Sequence, residues 1–261
     1  MHKGHHIMSD SVSRSGRSDA PGNLRRERWP LFGVAAGING LLATFIFDIH
    51  VGGGVTGEAT NMAIIDDVNQ RSAHLSIILG YTTVALLLIL AAVWRGAVER
   101  QLPESVAARV VSQGLTAAAG ALSLGYGWKG AMAIYHPDGN EANAYDQMGL
   151  YMYYMLNDFG SWIGWVSVSV AAGAFVWMGL KERSIPLWIG IFSVVPIVPA
   201  WGWMIATGLP GLSAISTIWM IVAFGGLALH KGAIRAAAPE GAVATHAGSG
   251  TSVRRDGFVQ V

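Results

Sequence analysis

The chain has 261 residues, 52% of them hydrophobic and 13% charged, against about 25% charged in soluble domains, with a formal net charge of +1. With no cysteine, thiolate metal sites, iron–sulfur clusters, thiol nucleophiles and a disulfide-stapled secreted fold are excluded. The apolar surplus lies between two polar, Gly/Ser/Ala/Arg-rich ends, residues 1–28 and 236–261, so the composition implies an integral membrane protein with two disordered cytoplasmic tails.

The amino-terminal tail is basic and carries His2, His5 and His6, which are expected to be solvated. Apolar runs follow near 31–47, 72–94, 110–135, 159–180, 185–206 and 211–230. Each is close to the roughly 20 helical residues that cross a 30 Å hydrocarbon core. The expected fold is an all-α polytopic bundle of six transmembrane helices occupying residues 29–235. Pro30 and Pro186 sit at helix starts, where a missing N–H is tolerated. No small-residue cleavage site follows the first run, which predicts an uncleaved span.

Charge sorting orients this bundle. With six spans, 15 of the 17 Lys and Arg residues fall on one side. They comprise those of both tails, Lys231 and Arg235 after the sixth run, Arg95, Arg100 and Arg109 in the second loop, and Lys181 and Arg183 in the fourth. Asp48, Glu58, Asp66, Asp67, Asp138, Glu141, Asp146 and Asp158 fall on the other. The positive-inside rule then predicts cytoplasmic termini and acidic outer loops, in a multi-pass protein of the cell membrane, the bacterial inner membrane. Trp29, Trp94, Trp177 and Trp188 near inner ends, and Trp162, Trp165, Trp201 and Trp203 near outer ends, are expected in the interfacial belts.

Ionisable groups inside spans are costly and mark candidate sites. In the first helix, Ala36, Gly40 and Thr44 form a four-spaced ridge leading to Asp48. Small ridges are where helices pack closely, so Asp48 should face protein and, at the negative end of the helix dipole, seek a cation. The alternative is a loop residue beyond the helix. In the third helix Ala117, Ala121 and Gly125 lead in the same way to Lys129, which either points into the bundle or snorkels to the outer headgroups. Asn157 and Asp158 open the predicted fourth helix, where Asp158 is expected to cap free N–H groups. The GxxxG pair Gly160 and Gly164 then suggests close packing. Lys129, Asp48 and Asp158 are the candidate ligand-binding residues, with Lys129 expected to pair with one of the two carboxylates.

His50, His74 and His136 share the outer side and are candidate metal ligands, but they lack a recognised ligand spacing, so no metal site is expected. Met148, Met152 and Met155 share a helical face and either pack or offer thioethers to Cu(I). Pro196 and Pro199 should bend the fifth helix, as a fixed bend rather than a hinge. There is no Walker loop or dinucleotide fingerprint, and no cofactor is expected.

The stretch 156–165, Leu-Asn-Asp-Phe-Gly-Ser-Trp-Ile-Gly-Trp, with Trp177-Met178-Gly179-Leu180-Lys181-Glu182-Arg183 and Pro186-Leu187-Trp188-Ile189-Gly190, resembles segments of uncharacterised bacterial multi-span membrane proteins. The resemblance implies a membrane fold and carries no activity. Three function classes follow. The first is a protein that binds or transports a small polar or cationic molecule through an outward-facing vestibule. The second is a structural or accessory subunit whose outer loops meet a membrane-protein partner, and the third a metal-dependent membrane oxidoreductase. The lipid bilayer is the partner common to all, and nothing points to nucleic acid.

Overall fold

The computed structural model of the chain describes residues 28–49, 61–209, 211–230, 232 and 234, without the side chains of Asp158 and Phe159. The expected disorder of the tails, the histidines His2, His5, His6 and His50, and Glu58 lie outside the described residues. Among the described residues every regular element is helical. They are α1 (Leu31–Leu41), α2 (Gln70–Trp94), α3 (Val106–Tyr135), α4 (Gln147–Leu180), α5 (Leu187–Phe192), α6 (Val194–Thr207) and α7 (Ser216–Leu229). Wider π turns extend α1 over Leu42–Ile46 and α2 over Arg95–Glu99, and short 3-10 turns cover Met62–Asp67 and Gly211–Ile215.

Local chemistry sets the helix starts. Asn69 accepts from Ser72 N at 3.1 Å before α2, Ser105 from Ala108 N at 3.0 Å before α3, and Asp146 from Gly149 N at 2.8 Å before α4. At its far end α6 stops on Gly208, whose φ of +77° is a left-handed conformation suited to glycine.

Helices that follow one another along the chain run antiparallel, α5 and α6 counting as one. Gly114 lies against Ala171 and Gly125 against Gly160, so numbering rises along α3 as it falls along α4. The same opposition relates α1 to α7, through Gly33 with Phe224 and Gly40 with Thr217, and α4 to the α5–α6 pair, through Gly173 with Ile197 and Gly179 with Gly190. A Cβ on Gly125 would overlap the backbone of Gly160, and one on Gly164 would overlap Leu122. The Gly160/Gly164 pair therefore packs α4 directly onto α3. α3 lies between α2 and α4, and α4 in turn packs on α5, α6 and α7.

Four helices are long and apolar enough to cross a membrane: Gln70–Glu99, Gln147–Leu180, Leu187–Thr207 and Leu212–Leu229. The other two runs differ for separate reasons. Leu31–Ile46 is apolar but shorter, while α3 has 30 residues but spends its buried face on Ala, Gly and Ser that let α2 and α4 approach, which lowers its hydropathy. The α5–α6 run is broken at Ser193, three residues before Pro196. Trp219 Nε1 donates to Ser193 Oγ at 2.8 Å, and Ser193 Oγ donates to Ile189 O at 2.7 Å, so α7 pins the bend in place.

Three sequence expectations are corrected. α4 begins at Gln147, twelve residues before its apolar run, so Asp158 lies inside a continuous helix and has no free helix-start N–H groups to cap. The ridge Ala117–Ala121–Gly125 does not hold one face, since Ala117 is exposed and Ala121 half-buried. Steps of four on a 3.6-residue helix drift by about 40° each, so the face carrying Lys129 runs instead through Gly114, Ala118, Leu122 and Gly125. Two of the expected belt tryptophans, Trp94 and Trp165, are wholly buried. Trp94 Nε1 donates to Ala108 O at 2.8 Å, and its ring joins Trp29, Phe175 and Phe224 in an aromatic core.

Candidate functional site

The end of the bundle that gathers the C-terminal ends of α1 and α3 and the N-terminal ends of α2 and α4 also carries Asp48, Asp66, Asp67, Asp138, Glu141 and Asp146. Just inside it lies a buried polar layer. Its geometry starts with the π turn that ends α1. Helix-terminal carbonyls lack an intrahelical donor, and Ala43 O instead accepts from Ser76 Oγ of α2 at 2.7 Å and from Lys129 Nζ of α3 at 3.0 Å. Lys129 Nζ also meets Asp48 Oδ1 at 3.0 Å.

Lys129 therefore does not snorkel. It is wholly buried, its ammonium closes the negative end of the α1 dipole, and it pairs with a carboxylate whose side chain is 18% exposed. Asp48 itself lies beyond the helix, after a bend at Phe47, where Ile49 N donates to Asp48 Oδ1 at 2.9 Å. The pair thus forms although Asp48 is a loop residue: the helix end attracts the cation, and the cation gathers the carboxylate.

One turn deeper, Thr44 Oγ1 and Tyr126 OH are 2.9 Å apart, and Trp165 Nε1 donates to Thr44 Oγ1 at 3.3 Å. The indole of Trp165 also fills the space that a Cβ on Gly40 would occupy. Side chains from α1, α2, α3 and α4 thus converge on the last two turns of the first helix.

On α4 the layer ends differently. Among the described residues, both polar atoms of Asn157 and the hydroxyl of Ser161 are buried without a hydrogen-bond partner. The contact of Gly125 with Gly160 fixes the register: Lys129 lies one turn beyond Gly125 on α3, and Asn157 one turn before Ser161 on α4, at the same depth. Buried polar groups are ordinarily paired, and an unpartnered amide costs on the order of 1–3 kcal/mol. The layer offers an ammonium, a carboxylate, hydroxyls and an amide with two donors and a two-lone-pair acceptor, a set made for hydrogen bonding. Asp158 follows Asn157 in the helix; its side chain lies outside the described residues.

Of the three candidate histidines, His74 and His136 are described, and they lie in different settings. His74 is exposed on α2. His136 is buried beneath the Met62–Asp67 turn, with Nε2 3.1 Å from Ile65 O and Nδ1 accepting from Asp138 N at 3.3 Å. Among the described residues no three His, Asp or Glu side chains are placed to hold a metal ion. Met148, Met152 and Met155 do share a face, and it is exposed rather than packed.

Sequence reasoning found Lys129 and Asp48 because charges stand out in apolar runs. It missed the roles of Ser76, Tyr126, Trp165, Asn157 and Ser161, which are unremarkable in composition. The available signal was Asn157 with Ser161, two polar residues four apart and so on one face of the helix.

The described residues form a helical bundle compatible with a membrane protein: four helices are long and apolar enough to cross a bilayer, and large apolar side chains such as Ile205, Val198 and Leu124 are more than 60% exposed on its flanks. The chain matches no protein-family model, no curated protein and no solved structure.

Proposed function

We propose that this chain is a six-pass protein of the cell membrane with both termini cytoplasmic, and that the polar layer at its outer end binds a small polar molecule entering from outside. The observation that carries this reading is the buried Asn157 at the depth of the Lys129–Asp48 ion pair, with Ser161 one turn deeper, both without a hydrogen-bond partner among the described residues. A ligand with both donors and acceptors would satisfy them. The ion pair favours a neutral or zwitterionic ligand over a bare cation, because Lys129 already neutralises Asp48 at 3.0 Å and a metal or ammonium ion would have to displace it. Lys129, Asp48 and Asn157 are the proposed binding residues, and the surrounding lipid is the constant partner.

The test is thermal melting of the purified protein in detergent against glycerol, glucose and alanine, with potassium chloride as the cation control. The expected result is a saturable rise in melting temperature with at least one neutral or zwitterionic compound, lost in Asn157→Leu. That variant should melt higher than the wild type without ligand, since it removes an unsatisfied amide worth about 1 kcal/mol or more. No response to any compound, with Asn157→Leu less stable than wild type, would make Asn157 structural and sink the reading.

The second reading, an accessory subunit, is favoured by the Met row. α4 has 34 residues, about 51 Å, against about 20 residues needed for the hydrocarbon. Counted from the basic end at Lys181, its first turns stand beyond the membrane, and there Met148, Met152 and Met155 are 54%, 60% and 52% exposed. Soft methionine faces suit protein partners. Co-purification of a membrane protein with the wild type, lost in Met152→Lys, would favour this reading.

A further inference from the structure

The opposite, basic end of the bundle carries a second feature that the polar layer does not use. Where α4 turns into α5, a cleft of about 480 Å³ is lined by Leu180, Arg183, Ile185, Leu187 and His230. It adjoins a groove of about 430 Å³ between α5 and α7, lined by Trp188, Ile221, Val222, Gly225 and Leu229, with His230 shared by both. The first space has a basic mouth, and the second is an apolar trough open to the side.

Arg183 is held at this mouth by an unusual backbone. Its φ of +52° is left-handed, a conformation ordinarily left to Gly or Asn. Around it the chain is fixed on both sides: Glu182 Oε2 accepts from Ser105 Oγ at 2.7 Å, and Ser184 N donates to Met178 O at 3.0 Å. The acidic neighbour is thereby engaged with α3's start and is not among the residues lining the cleft. The side chains of Arg183 and His230 make no hydrogen bond or ion pair among the described residues. An unpaired arginine kept in a rare conformation on the lining of a cleft, with a histidine on the same lining, points to an anionic ligand there.

The trough has a floor of glycine. A Cβ added to Gly225 would have only Val34 Cγ2 near it, at 3.9 Å, so the space above it is open. Trp188, 47% exposed, forms one wall near the helix end, where indoles meet the headgroup region. A basic mouth joined at His230 to an apolar trough that runs back along α7 to Ile221 matches the two halves of a phospholipid.

We infer that this end of the bundle holds a site for one anionic phospholipid of the adjoining leaflet, its phosphate against Arg183 and His230 and one acyl chain along Trp188, Val222 and Gly225. Charge selects the headgroup, because a guanidinium gives phosphate a two-pronged donor and anionic lipids concentrate where basic residues do. The trough selects a lipid over free phosphate, since an anion alone leaves Gly225 and Val222 uncovered. The site rests on the membrane reading of the fold and not on the polar layer at the other end.

Native mass spectrometry of the detergent-purified protein, titrated with phosphatidylglycerol, phosphatidylcholine or inorganic phosphate, tests this directly. One phosphatidylglycerol should be retained per chain, at least fivefold more tightly than phosphatidylcholine. Arg183→Asn keeps a residue that tolerates the left-handed backbone and should remove that preference, weakening phosphatidylglycerol roughly five- to tenfold. Gly225→Leu fills the trough without touching charge and should weaken both lipids. Equal retention of the two lipids by the wild type, which needs no variant to observe, would overturn the proposal. So would unchanged phosphatidylglycerol binding in a folded Gly225→Leu protein, or saturable binding of inorganic phosphate that displaces the lipid, which would make the cleft an anion site only.

Discussion

Lys129 shows how one buried charge organises an apolar helical bundle. Its ammonium touches a carbonyl at the end of α1 and the Asp48 carboxylate beyond it, so it ties the first and third helices together. Removing one member of such a pair strands the other. Lys129→Met should therefore lower unfolding stability in detergent by roughly 3–5 kcal/mol, and Lys129→Met with Asp48→Asn should recover part of that loss. A neutral single variant, or a double variant whose loss equals the sum of its singles, would show that the contact contributes nothing. At this scale the sequence was legible where charge broke an apolar run. The partner of Lys129 was narrowed to two carboxylates but not chosen, because a π turn that frees Ala43 O has no sequence signature.

At the scale of elements, hydropathy located the apolar helical runs to within a few residues but did not find the true length of α4. Its first twelve residues include Tyr151, Tyr153, Tyr154 and three methionines, too amphipathic to register as a span. They are nonetheless helical because Asp146 caps them and because Leu150 and Tyr154 pack with Ile65, Val68 and Met132 in a small core at the acidic end. Asp146→Ala should cost about 1 kcal/mol locally, read as faster amide hydrogen exchange over residues 147–156 with exchange over 165–180 unchanged. Uniform acceleration along the whole helix would mean that the outer segment is not an independent extension. Spacing arguments failed over three turns for a geometric reason: four-residue steps rotate off a face, so Gly125 shares the Lys129 face while Ala117 does not.

For the whole molecule, the alternation of helix direction turns a list of charges into two ends. Arg95, Arg100, Arg109, Lys181 and Arg183 lie at one, and Asp48, Asp66, Asp67, Asp138 and Asp146 at the other, with Lys129 just inside the acidic end. This partition was legible because it needs only the number of apolar passes and their order. That the polar layer opens outward depends on the acidic end being extracytoplasmic. The chain has no cysteine, so single cysteines can be read without background. Tyr145→Cys at the acidic end and Arg100→Cys at the basic end, labelled in intact cells with a membrane-impermeant maleimide, measure this most directly. The account predicts labelling at position 145 from outside and at position 100 only after the membrane is opened; the reverse pattern would contradict it.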